Sequence, residues 1–133
     1  MKFTLVTRIA LVAGAAVTAA VVATSPAAAI TYGYGPWYDG TRGAKAYFEK
    51  TGDHLKICDV KTDGEYAWVY VYDETADKFR YSASDTKNDG HCHYASAADG
   101  GYYNLPEKHW IWFTVYSGRH QDDGKTFKIY NDA

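Results

Sequence analysis

Asp-Gly dipeptides recur along the chain and separate short stretches of alternating apolar and polar residues. Asp tolerates turn geometry and Gly adopts positive φ without steric cost, so such pairs between apolar stretches favour tight turns and hairpins. The five pairs are Asp39-Gly40, Asp63-Gly64, Asp89-Gly90, Asp99-Gly100 and Asp123-Gly124. A chain interrupted this often is expected to build short antiparallel strands.

The stretches between these pairs alternate with a period of two residues, as strands with one buried face do. Sets that would share a face are Ala44, Ala46 and Phe48, then Leu55 and Ile57, then Phe79 and Tyr81, then Phe127 and Ile129. Beyond the N-terminal segment, no window carries a helical stripe of useful length. The pattern therefore predicts an all-β fold, a small antiparallel β-sandwich or barrel of six or seven strands. Residues 30–40 are too rich in glycine to predict a strand.

The first 29 residues have the order of a secretory signal peptide. Lys2 and Arg8 supply positive charge, an apolar run from Ile9 to Ala23 follows, and small residues lead to a cleavage site after Ala29. An uncleaved membrane anchor is the alternative, but the apolar run is shorter than the roughly 20 residues of a membrane span. We therefore expect a signal peptide at residues 1–29 and a single secreted, extracellular domain at residues 30–133, with no membrane segment in the mature form.

The composition of residues 30–133 excludes several classes of partner. The whole chain has a formal charge of −2, and loss of Lys2 and Arg8 with the signal peptide would make it more negative. An acidic domain without a Lys/Arg cluster argues against nucleic acid and against anionic membranes. All 13 Tyr and all 4 Trp lie in this range. Disorder is therefore not expected, because disordered chains are poor in aromatic residues.

The chain has two cysteines, Cys58 and Cys92. In an oxidising compartment a small domain gains from a covalent tie, so a disulfide between them is predicted. It would close a loop of about 35 residues and contribute roughly 3–4 kcal/mol on the chain-entropy account. Two free or intermolecular thiols are the alternative.

Three short motifs follow one another along the chain. They are Gly52-Asp53, then Asp59-x-x-x-Asp63-Gly64, then Leu105-Pro106-Glu107 ahead of the apolar stretch from Trp110 to Tyr116. This order resembles that of a group of small exported proteins of actinomycetes, in which each motif precedes or follows a short strand. The resemblance implies a secreted, β-sandwich-like domain and implies no particular activity.

Two stretches carry mainly aliphatic side chains on one face and aromatic side chains on the other. The inward candidates are Ala67, Val69 and Val71, with Ile111, Phe113 and Val115; the opposite sets are Tyr66, Trp68, Tyr70 and Tyr72, with Trp110, Trp112 and Tyr116. If both strands lie in one sheet, the aliphatic sides form the core and the aromatic sides form a platform. Rings with polar tips suit sugars, peptides or protein surfaces. Alternatively both faces are core, as in a central sandwich strand.

From this pattern we predict a non-enzymatic domain that binds a polysaccharide or another cell-surface ligand. The predicted ligand-binding residues are Tyr66, Trp68, Tyr70, Trp110, Trp112 and Tyr116. A protein-binding domain, such as an inhibitor of an extracellular enzyme, is the alternative; it would use the same rings or the polar connection from Asp85 to Gly101. A small hydrolase that uses acidic residues is the third hypothesis.

The turn from Asp59 to Gly64 has the start of a calcium loop, with acids at positions 1 and 5 and Gly at position 6. Lys61 at position 3 and Tyr70 at position 12 exclude an EF-hand, because that loop needs an oxygen ligand and a Glu there. The acids of this turn could still bind an ion irregularly, but a hairpin explains them better. No metal site is predicted on them.

His91 and His93 could lie on one strand face as metal ligands, with His54, His109 or His120 as a third. A polar loop around the disulfide accounts for the same two residues. The chain contains no Gly-x-Ser-x-Gly and no zincin motif. No cofactor, no metal and no catalytic residue are therefore predicted.

Overall fold

Eight short strands make up the regular structure of residues 29–118 and 121–133, the parts of the chain that the computed structural model describes. They are β1 (Tyr34–Tyr38), β2 (Ala44–Glu49), β3 (His54–Asp59), β4 (Ala67–Asp73), β5 (Lys78–Asp85), β6 (His93–Ala95), β7 (His109–Ser117) and β8 (Lys125–Asn131). Three single-turn 3₁₀ helices complete these ranges, at Ala97–Asp99, Gly101–Tyr103 and Gln121–Asp123. The predicted signal peptide, apart from Ala29, lies outside the described residues.

The strands form two antiparallel four-stranded sheets that pack face to face. The first sheet has the order β1-β2-β3-β6 and the second has the order β5-β4-β7-β8. Their inner faces share one hydrophobic core. The all-β sandwich predicted from the sequence is therefore confirmed, with eight strands rather than six or seven.

Aromatic rings join the two sheets, one pair inside the core and one pair packed against it. The ring of Phe48 on β2 packs 4.6 Å from that of Phe113 on β7, measured between centroids. Trp37 on β1 stacks almost parallel on Phe127 on β8, at 5.0 Å. Full burial of a large apolar side chain contributes about 1.5–3 kcal/mol, and close aromatic pairs add about 0.5–1.5 kcal/mol. These contacts fix the second sheet against the first and so orient its outer face.

The predicted alternation holds on β2, where Ala44, Ala46 and Phe48 all point into the core. It is wrong on β5. Tyr81 is buried there, whereas Phe79 is 45% exposed on the opposite side. Val71 pairs with Tyr81 and the next residue of β4 pairs with Phe79, so one extra residue forms a β-bulge. The bulge shifts the alternation and turns Phe79 outward.

The Asp-Gly pairs do not all mark hairpins. Asp39-Gly40 and Asp123-Gly124 lie in connections between paired neighbouring strands, but Asp63-Gly64, Asp89-Gly90 and Asp99-Gly100 lie in connections that cross between the sheets. The hairpin prediction is wrong for the crossing pairs.

Two tight hairpins use Asp without a following Gly. The four-residue connections of β2–β3 and β4–β5 end on Asp53 and Asp77, at φ 52° and 51°. Asp adopts this left-handed conformation more readily than most residues, so it can take the place of Gly in a turn.

Strand β1 was not expected, because its segment is rich in glycine. The glycine at position 35 is what allows the strand to form next to β2. It has φ 101°, and a Cβ atom there would lie 2.6 Å from the carbonyl oxygen of Ala46. The small residue therefore permits a close backbone approach that a side chain would block.

The disulfide between Cys58 and Cys92 is confirmed. It joins the end of β3 to the residue before β6, so it anchors the long connection that follows β5. The connection is held a second time at Asp85, whose carboxylate accepts a hydrogen bond from the backbone N–H of Asp59 at 2.8 Å. The segment from Asp85 to Gly101 is thus bound to the first sheet.

Asp39 ties the first hairpin to the end of β7. Its carboxylate accepts hydrogen bonds from the hydroxyls of Thr41 and Ser117 and from the N–H of Ala44, at 2.7, 2.9 and 3.1 Å. Burial acts to raise the pKa of Asp39, but these hydrogen bonds outweigh it and the pKa is lowered. The carboxylate is therefore held in its charged form.

Asp39→Asn is expected to lower the free energy of unfolding at neutral pH by about 1–2 kcal/mol, because hydrogen bonds to a charged acceptor are the stronger ones. Since the folded pKa lies below the unfolded value of about 3.9, this stabilisation is complete above that value and is lost as the pH falls through the folded pKa. Urea unfolding at pH 7 and pH 3 should show the difference from wild type shrinking at pH 3. The exposed Asp122 provides an Asp122→Asn control; a difference independent of pH would contradict the prediction.

Candidate functional site

The outer face of the second sheet carries the rings that the sequence pattern separated. Strands β4 and β7 are neighbours, with Trp68 opposite Tyr116 and Tyr72 opposite Trp112. The inward residues of both strands are fully buried, and all of them except Phe113 are small or aliphatic: Ala67, Val69, Val71, Ile111, Phe113 and Val115. The predicted division of these strands into an aliphatic core side and an aromatic outer side is confirmed. We call the outer side the aromatic face; it consists of Trp68, Tyr70, Tyr72, Phe79, Trp110, Trp112, Tyr116 and Tyr130.

The six predicted binding residues differ in exposure. Trp110 is 44% exposed, and Tyr66 is 47% exposed but precedes β4 rather than lying on it. Trp68, Tyr70 and Trp112 are half-buried. Tyr116 is only 8% exposed, and its ring stacks parallel to that of Trp68 at 6.2 Å. Tyr116 is therefore placed to support its neighbour rather than to present a ring face of its own.

Three rings of the face were not among the predicted binding residues. Tyr72 was recognised as lying on the aromatic side but was not selected. Phe79 was missed because the bulge in β5 reverses its direction, and it packs 4.6 Å from Tyr70. Tyr130 packs 5.2 Å from Trp110. Its position beside the inward Ile129 was a signal that could have found it.

A groove of about 400 Å³ opens in the middle of the aromatic face, and this volume lies within the usual range of ligand pockets. Its lining consists of Tyr70, Tyr72, Glu74, Asp77, Trp112 and Thr114. Strand register places the rings on β4 and β7, while the tight β4–β5 turn brings both carboxylates to the rim. The groove therefore joins aromatic surface to hydrogen-bonding groups.

Charged groups border the groove on two sides. The hydroxyl of Tyr72 donates a hydrogen bond to the carboxylate of Asp77, and this bond raises the pKa of the phenol. Glu74 forms an ion pair with Lys128, which reaches across from β8. The ammonium of Lys128 lies 4.8 Å from the ring centre of Trp110 and 5.8 Å from that of Trp112.

Uncharged polar groups lie among the rings. The hydroxyls of Thr114 and Thr126 are 2.8 Å apart on neighbouring strands. The indole N–H of Trp112 is buried and has no hydrogen-bond partner among the described residues. A buried donor without a partner costs about 1–3 kcal/mol.

The histidines considered as metal ligands do not converge in the described part of the chain. His91 is largely exposed and lies 3.6 Å from the Asp89 carboxylate. His93 is on β6, and the Nδ1 atom of His109 contacts Asp73. No group of three His, Cys, Asp or Glu side chains within residues 29–118 and 121–133 is arranged to hold a metal ion. His120 lies outside these ranges.

The acids of the Asp59–Gly64 turn are engaged with backbone groups. Asp59 accepts a hydrogen bond from the N–H of Lys61, and Asp63 accepts one from the N–H of Glu65. Burial raises the pKa of Asp59, and the nearby charges of Asp63 and Asp85 act in the same direction. These side chains cap the turn as acids in turns commonly do.

The chain was compared with protein-family models, with curated proteins and with solved structures, and none of them matches. Within the described ranges, no helix has the length and apolar character needed to cross a membrane. The function of the aromatic face therefore has to be inferred from its geometry.

Proposed function

We propose that this chain is a secreted, non-enzymatic domain that binds a polysaccharide of the extracellular space or cell surface through its aromatic face. The observation that carries the proposal is the groove, where the rings of Tyr70, Tyr72 and Trp112 lie beside a hydroxyl and two carboxylates. Sugars present apolar C–H faces and many hydroxyl groups. Aromatic rings suit the first, and carboxylate and hydroxyl oxygens accept hydrogen bonds from the second.

The extent of the aromatic face supports an extended ligand. On β7 the rings of Tyr116, Trp112 and Trp110 occupy three of the four outward positions, with Thr114 between the first two. Outward positions on a strand are about 6.5–7 Å apart, so the face extends about 20 Å along the strands. A polymer could contact several rings at once, whereas a compact small molecule would contact only the groove.

The scaffold also favours binding without rearrangement. The rings project from central strands whose inner residues are fully buried, and neighbouring rings pack on one another. A surface fixed in this way loses little conformational entropy when a ligand binds. The disulfide supports the extracellular part of the proposal, since such bonds persist in oxidising compartments.

Tyr70→Ala and Trp112→Ala test the proposal. Each is expected to weaken binding to a soluble oligosaccharide of the preferred polysaccharide at least tenfold, which is about 1.4 kcal/mol. The loss follows from removing a ring that contacts the sugar near the centre of the site. Titrations followed by tryptophan fluorescence would measure it, because Trp68, Trp110 and Trp112 all belong to the aromatic face. Ligands should first be sought in a panel of insoluble glucans, chitin and cell-wall polysaccharides.

Tyr94→Ala is the matched control. Tyr94 is 58% exposed, but it lies on β6 of the opposite sheet. The control should bind as the wild type does, and urea unfolding should show that all three variants fold. Failure of the whole panel to bind, or equal losses in Tyr94→Ala and Tyr70→Ala, would contradict the proposal.

A further inference from the structure

The groove combines aromatic rings with carboxylates, and both kinds of group attract cations. A cation within about 6 Å of an aromatic ring centre gains about 0.5–1 kcal/mol at an exposed site and about 2 kcal/mol or more when desolvated. The groove has three such rings, those of Tyr70, Tyr72 and Trp112, and its two carboxylates belong to Glu74 and Asp77.

The negative charge at the rim is only partly neutralised. Glu74 is paired with Lys128. Asp77 forms no ion pair within the described residues, and its carboxylate accepts a hydrogen bond from Tyr72. The adjacent Lys78 directs its ammonium to the ring of Tyr102, 5.3 Å from the centroid. Among the described residues, the Asp77 carboxylate therefore keeps an uncompensated negative charge.

A cation of the chain itself already lies on this face. Lys128 places its ammonium over Trp110 and Trp112 while it contacts Glu74, so it combines ring and carboxylate in one site. In the same groove, Tyr72 and Asp77 also place a ring beside a carboxylate, and Tyr70 lines the groove with them. No ammonium or guanidinium of the described residues lies over either of these two rings. The rings of Tyr70 and Tyr72 and the carboxylate of Asp77 are thus available to a cationic group of a ligand.

We propose that the groove selects sugars that carry a free amine, so that the preferred ligand is a polymer of deacetylated amino sugars. Its ammonium group would lie among Tyr70, Tyr72 and Asp77, and neighbouring sugar rings would pack along the aromatic face. This inference rests on the proposed function, because the length of the face is what favours a polymer over a small amine.

The test compares soluble chitosan and chitin oligosaccharides of equal length, which share a backbone and differ in the free or acetylated amine. At mildly acidic pH and low salt, the chitosan oligosaccharide is expected to bind at least tenfold more tightly. Added salt should reduce this preference, because charge interactions at an exposed rim are screened. Isothermal titration calorimetry on the full chain would measure both affinities.

Asp77→Asn should weaken binding of the chitosan oligosaccharide three- to tenfold and leave that of the chitin oligosaccharide unchanged. Asn keeps an acceptor for the hydroxyl of Tyr72 and tolerates the positive φ at this position, so the turn should be retained. Asp122→Asn removes the same charge from an exposed site outside the groove and is expected to have no effect.

Each outcome bears on the inference in a different way. Equal or tighter binding of the acetylated oligosaccharide would overturn the inference and leave the proposed function intact. No binding of either oligosaccharide, nor of any uncharged glucan, would count against both. Binding of polylysine as tight as that of chitosan, unaffected by Tyr70→Ala, would show general attraction of polycations to an acidic domain and would overturn the selectivity for amino sugars.

Discussion

Replacing Cys58 and Cys92 together by Ala is expected to lower the free energy of unfolding by about 3–4 kcal/mol, because the disulfide closes a long loop and so restricts the unfolded chain. The cysteines are 34 residues apart in the sequence. The loss should appear in urea unfolding at neutral pH as a lower midpoint. Wild-type protein in the presence of a reductant should unfold at nearly the same urea concentration as the double variant.

The structure also predicts which part of the domain becomes less stable first when the disulfide is removed. Strand β6 has only three residues, and the disulfide attaches it to β3 at its beginning. Hydrogen exchange in the double variant should therefore increase most around residues 86–95. An unchanged unfolding midpoint on reduction would contradict the prediction, and would mean that contacts such as the Asp85 hydrogen bond already restrain the connection without the covalent tie.

His109→Ala is expected to destabilise the protein by about 2–3 kcal/mol, because it leaves a buried carboxylate without its imidazole hydrogen bond. The Asp73 side chain is fully buried, and its two carboxylate oxygens lie 2.9 and 2.8 Å from Nδ1 of His109. Without the imidazole, the hydrogen bond from the N–H of Ala76 would be the one left to the carboxylate among the described residues. A buried carboxylate with so little compensation is costly.

The matched control is His109→Asn, because the Asn amide can place a donor near the position of Nδ1. It should recover much of the loss. Combining His109→Ala with Asp73→Asn should cost less than the sum of the two single changes, since the second change removes the buried charge. Strict additivity of the two losses in urea unfolding would contradict the idea that the pair acts as a unit.

The part of the fold that was predictable from sequence depends on strict alternation. Between Ala67 and Tyr72 every second residue is small or aliphatic and every other residue is aromatic. Only one orientation of such a strand in a sandwich buries the aliphatic side efficiently, so its direction could be assigned without coordinates. The disulfide could be predicted equally well, because the chain has two cysteines and therefore only one possible internal pairing.

Features set by contacts between distant segments were not predictable in the same way. The bulge in β5 depends on its register with β4, and register cannot be read from β5 alone. An Asp-Gly pair has the same local chemistry in a hairpin as in a crossing between sheets. Strand β1 exists because the glycine at position 35 fits closely against β2, a constraint that appears only when both strands are in place.

The candidate site was predicted in its residue type and not in its detailed shape. The pattern indicated rings on two strands, but it did not indicate that the β4–β5 turn places Glu74 and Asp77 beside them. Those acids look like ordinary turn residues in the sequence. The burial of Tyr116 could not be predicted either. Alternation indicates the face of the sheet on which a side chain lies, but it does not indicate how far neighbouring residues cover that side chain.

The bulge at Arg80 has a consequence beyond the direction of Phe79. Strand β5 is an edge strand of the second sheet, and a long, regular edge strand can template the addition of strands from other molecules. The bulge breaks the regular spacing of backbone donors and acceptors along this edge. The Arg80 guanidinium also donates a hydrogen bond to the carbonyl oxygen of Asn104. The β5 edge is therefore a poor template for adding strands from other molecules, although the same sheet displays exposed rings on its outer face.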